Sequence, residues 1–132
     1  MKYIDYNLHA AWNKKDLDGI VILAKEMITD FNSYQEIIWE RYGKNRIHLD
    51  YVSQLYHDGG GFRTTTKNYT EKFDRGEIPN TVVSNEYRMF LQNLSRNMIN
   101  LINFLRHIEV FIHMMELEEE NTYYHERDEE MN

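Results

Sequence analysis

The chain has 132 residues, no cysteine, one proline, 42% hydrophobic residues and a formal net charge of -7. That length suits one globular domain, and the lack of cysteine excludes disulfide scaffolds, cysteine zinc sites and thiol chemistry. The acid excess argues against direct, nonspecific binding of nucleic acid, and a 14% aromatic content is too high for a disordered chain.

The N-terminus meets Asp5 before any apolar run of signal-peptide length. The longest apolar runs, 20–24 and 110–112, fall far short of the roughly 20 residues of a membrane span. A cytoplasmic protein without membrane contact is expected. Three alanines against thirteen asparagines fit a low-GC genome, such as that of a phage or mobile element.

Ile4, Leu8, Ala11 and Trp12 share one helical face, and 13–15 then reads as a turn with Asp16 as N-cap. The next helix carries Leu17, Val21, Ala24, Ile28 and Phe31 at spacings of four, three, four and three, widened by Ile20 and Met27. Asn32 and Ser33 interrupt that pattern. Ser33 with Glu36 forms a capping box that opens a further helix bearing Ile37, Ile38 and Tyr42, which Gly43 kinks or ends. Periodicity resumes through Ile47, Leu49, Val52, Leu55 and Tyr56, and Gly59, Gly60 and Gly61 are expected to stop it. In residues 62–80 threonine and aromatic residues roughly alternate, which predicts a small β-hairpin around Asp74, Arg75 and Gly76, or an ordered loop closed by Pro79.

The most regular segment follows. Tyr87, Leu91, Leu94, Met98, Leu101, Leu105, Ile108, Ile112 and Met115 alternate spacings of four and three without exception, a heptad seam broadened by Phe90, Phe104 and Phe111. A helix over 86–118 would run about 50 Å. A compact domain of this size is only about 36 Å across. The helix therefore breaks, or the bundle is elongated, or a second copy completes the seam; a homodimer is expected. The fold class so predicted is all-α, an elongated helical bundle of about four helices over residues 1–120, with an acidic tail over 121–132.

No catalytic set assembles. Glu109, His113 and Glu116 lie one helical turn apart, but the Glu-x-x-His pattern of a di-iron bundle is absent, and a solvated flank is the simpler account. Neither a metal nor a cofactor is expected. His48 and His57 flank Asp50 without an evident orienting partner. The glycines of 59–61 lack the GxxxxGK[ST] spacing of a phosphate-binding loop.

Arg41 and His48, separated by six residues, resemble the Arg-x(4-6)-His motif of the HEPN family of small helical proteins. That resemblance, over eight residues, implies a dimeric metal-independent ribonuclease in which the pair works as acid and base on a phosphodiester. Tyr42 and Gly43 depart from the usual pattern. Residues 11–18, AWNKKDLD, resemble the opening helices of SnoaL-type proteins. The strands that build that family's pocket do not follow, so the segment is read as a helix-turn-helix signature.

Charge is segregated. Residues 1–115 hold fourteen acids and fourteen bases, whereas 116–132 hold eight acids (Glu116, Glu118, Glu119, Glu120, Glu126, Asp128, Glu129 and Glu130) against Arg127 alone. Such a block either solubilises the chain or recognises something. Carboxylates beside Tyr123 and Tyr124 could fill a basic, nucleic-acid-binding cleft on another protein, with the tyrosines supplying contact area. The expected function is thus that of a non-enzymatic inhibitor or adaptor that occupies a partner's surface. The alternatives are the ribonuclease and a virion assembly or chaperone-like component.

Overall fold

The computed structural model describes the backbone of residues 17–42, 46–78 and 84–131 and the side chains of 17–42, 50–78 and 84–121. Three helices account for nearly all of it: α1, Leu17–Tyr42; α2, Arg46–Asp74; and α3, Asn85–Met131. No strand occurs among the described residues. The expected helix at 4–12 and the Gly43 kink lie outside them.

Cross-helix contacts give the topology. Tyr34 meets Glu109 and Arg41 meets Glu116 and Glu119, so α1 and α3 run parallel. Lys25 pairs with Asp74, and Tyr56 packs edge-on against Phe31, so α2 runs antiparallel to α1. Phe62 stacks on Phe104 and Tyr69 meets Phe90, which sets α2 antiparallel to α3 as well. The result is an up-down-up bundle with its core along the common axis.

In α1 the buried face runs through Leu17, Ile20, Val21, Ala24, Met27, Phe31, Ile38 and Tyr42, with Tyr34 half-buried between. Met27, not Ile28, takes the core position at that turn. The predicted interruption at Asn32 and Ser33 does not occur. Both side chains point to solvent, so they cost only helix propensity, a few tenths of a kcal/mol each, and burial of Phe31 and Ile38 on the inner face outweighs it.

Helix α2 overturns two further expectations. The chain passes straight through Gly59, Gly60 and Gly61, and residues 62–74 are helical, not a hairpin or loop. Its inner face reads Val52, Tyr56, Gly59, Phe62, Thr66, Tyr69 and Phe73, spaced four, three, three, four, three and four. Gly59 belongs to this face because the bundle is tight there. A Cβ at Gly59 would lie 3.0 Å from Phe31 Cε2, 3.1 Å from Phe104 Cγ and 3.2 Å from Phe104 Cβ. Gly60 and Gly61 meet nothing within 4 Å and have no such role.

The turn assigned to a hairpin tip is instead the C-cap of α2. Gly76 sits at φ 71°, its N–H donates to the Phe73 carbonyl (3.0 Å), and the Glu77 N–H donates to the Lys72 carbonyl (3.2 Å). This is the Schellman arrangement, in which glycine takes the left-handed position at no steric cost. Ser84 caps α3, its carbonyl accepting from the Arg88 N–H at 3.1 Å. Helix α3 then continues to Met131, past the expected end at 118 and at about 1.5 Å per residue some 70 Å long.

Candidate functional site

All nine seam residues of α3, from Tyr87 through Leu91, Leu94, Met98, Leu101, Leu105, Ile108 and Ile112 to Met115, are buried, none more than 5% exposed. They are covered by α1 and α2 of the same chain, so the seam itself needs no second copy. Phe90 and Phe111 are also buried, and Phe104 packs against the same core.

The acidic segment divides into three parts. Glu116 and Glu119 reach back to the bundle, where the Arg41 guanidinium lies 3.7 Å and 3.4 Å from their carboxylates and 5.3 Å from the Tyr42 ring centroid. Glu118 and Glu120 are exposed. Beyond Asn121 the backbone remains helical through residue 131 and carries Tyr123, Tyr124, Glu126, Asp128, Glu129 and Glu130, whose side chains lie outside the described set. Met115 is the last buried core residue among the described side chains, and α3 extends sixteen residues, about 24 Å, past it.

Spacing and polarity give this extension its chemistry. Eight carboxylates over residues 116–130 occupy about 22 Å of helix axis, one per roughly 3 Å, close to the 3.4 Å between phosphates along one strand of DNA. The arrangement is unfavourable for the helix alone. The final turn carries no base, although the C-terminal end of a helix favours cations. Glu116 with Glu120, and Glu126 with Glu130, are like charges at i,i+4.

Elsewhere, Glu109 is fully buried and not on a solvated flank. Its carboxylate accepts from the Tyr34 hydroxyl at 3.3 Å, tying α1 to α3, and from Arg106 Nη1 at 3.0 Å within α3. Burial, reinforced by the Glu109 charge, raises the Tyr34 phenol pKa well above its ordinary value. Burial does the same to Tyr56, whose hydroxyl donates to the Phe31 carbonyl at 3.1 Å, and also raises the Tyr42 phenol above its ordinary value. Periodicity alone could not reveal Glu109 as a core position, because a carboxylate one place beyond Ile108 looks solvated.

Among the described residues no group of three histidines or acids is placed to hold a metal ion, the Glu109, His113 and Glu116 trio included. Arg41 is drawn toward α3, and the His48 side chain lies outside the described set. An open groove of about 300 Å³ between α1 and α2 has Ile38 and Val52 in its lining, with Gln35, Trp39, Ser53, Tyr56 and His57 around them. No helix of the described residues is long and apolar enough to cross a membrane.

Compared with known proteins, the chain matches no family model, no curated protein and no solved structure.

Proposed function

We propose that this protein is a non-enzymatic binding protein, an inhibitor or adaptor, whose α3 extension occupies a basic cleft on another protein. The observation that carries this reading is the acidic helical segment running about 24 Å past Met115, the last buried core residue among the described side chains. Its charge spacing suits a site shaped for a phosphate backbone. The internal repulsion and the acids at the wrong end of the helix dipole are conflicts that a cationic partner relieves. Tyr123 and Tyr124 on the same segment would add apolar contact at low entropic cost.

The test is capture of partners from a lysate by the full chain and by a chain lacking residues 122–132. Capture should fall at high salt, be displaced by duplex DNA and disappear on truncation. Capture that survives both salt and truncation would remove the proposal.

A further inference from the structure

The face of α3 opposite its seam carries a second apolar row. Met89, Ile99, Val110, Met114 and Leu117 are each at least 44% exposed. Counted at 100° per residue, they fall within a sector of about 80°, directly opposite the buried positions. Single exposed apolar residues need no explanation, but five aligned on one helix form a face that no other part of the described residues covers.

We infer that this face binds a second copy of the chain, with the two α3 helices antiparallel. Charge complementarity selects both the occupant and its direction. The exposed N-terminal half of the row carries Arg88 and Arg96 against Glu86 alone, so it is net basic, and its C-terminal end runs into Glu118 and Glu120. A parallel pair sets like charges against like. An antiparallel pair sets each basic half against the other copy's acidic end, and the contact is isologous, so it closes after two chains.

A register with Ile99 opposite the second copy's Val110 places the two-fold axis near residue 105. Arg96 then lies level with the second copy's Met114, which its aliphatic stem can cover. Arg88 comes within one turn of the second copy's Glu118 and Glu120. Asn103 faces His107 beside the axis, the kind of central polar pairing that fixes register in helix pairs. Residues beyond about 124 pass the start of the other copy's α3, so the pair presents its two acidic ends in opposite directions.

Sedimentation equilibrium of the full chain should give twice the chain mass at micromolar concentration. Val110→Glu with Met114→Glu alters only exposed positions. It should raise the dimer dissociation constant at least tenfold while leaving helicity and Tm close to wild type. Direction is tested in the naturally cysteine-free chain: a short bismaleimide should join two copies of Asn103→Cys and fail to join two copies of Met89→Cys, whose sites would lie about 48 Å apart. A monomeric wild type, an unaffected double variant, or efficient joining through Met89→Cys each overturns the inference. Truncation at 122 should leave the dimer intact, so this inference and the acidic-cleft proposal fail separately.

Discussion

Replacing each of the three consecutive glycines of α2 by alanine should give opposite results at neighbouring positions. In a helix interior alanine is favoured over glycine by about 0.5–1 kcal/mol, mostly because it has less backbone entropy to lose. At Gly60 and Gly61 the added methyl meets nothing within 4 Å, so each substitution should stabilise by close to that amount. At Gly59 the methyl would sit 3.0–3.2 Å from Phe31 and Phe104 carbons, against an optimum of about 3.5–4.0 Å. Neither ring can easily retreat. Phe31 is 2% exposed and packs 4.7 Å edge-on against Tyr56, while Phe104 stacks on Phe62 and offers its Cβ, which no rotamer change moves. Overpacking of this kind costs about 1–3 kcal/mol. The net for Gly59→Ala is therefore a loss of about 1 kcal/mol, and the gap to Gly61→Ala is about 2 kcal/mol, or roughly 6–8 °C in Tm for a chain of this size. Urea unfolding followed by circular dichroism would measure it. Equal stabilisation by Gly59→Ala and Gly61→Ala would refute the close approach of the three helices at this level.

Two further outcomes follow from buried polar groups. The Thr66 hydroxyl is buried without a hydrogen-bond partner, so Thr66→Val should stabilise by about 1 kcal/mol in the same assay. Tyr34 and Tyr56 have phenol pKa values raised by burial, so the folded state holds their protons more tightly than the unfolded state does. Stability should be unaffected by these groups below the ordinary tyrosine pKa of about 10 and fall as pH rises beyond it. Phenolate absorbance should show them ionising only with unfolding, and Tyr34→Phe should flatten the alkaline decline.

Helix α3 was legible in the sequence because every seam position is a large apolar residue, so spacing alone identified the face that is buried. Helix α2 was not. Its inner face contains Gly59, where the helices approach closely, and the buried Thr66, and these dilute the apolar period that marks a helix. Local propensity then pointed the wrong way, toward a break at the glycines and a hairpin in the threonine-rich stretch. The same bias split α1 at Asn32 and Ser33, whose polar side chains merely face solvent. The acidic block could be counted in the sequence, but its division could not. Only the parallel course of α1 and α3 brings Arg41, more than seventy positions away, to Glu116 and Glu119.

That division bears on how the acidic end could engage a partner. The Arg41 side chain is 46% exposed, and pairs this open to solvent contribute about 0–1 kcal/mol. The bundle therefore does not depend on them; its cohesion rests on the apolar seam, with the Tyr34–Glu109 hydrogen bond joining α1 to α3. A cationic cleft that competes for Glu116 and Glu119 gives up little when Arg41 is displaced. What those weak pairs can supply in the unbound protein is placement: they hold α3 against the end of α1 at the level where its apolar core stops. A helix anchored there meets a partner with its charges already arrayed along an axis, which lowers the ordering cost that a disordered acidic tail would bear on binding.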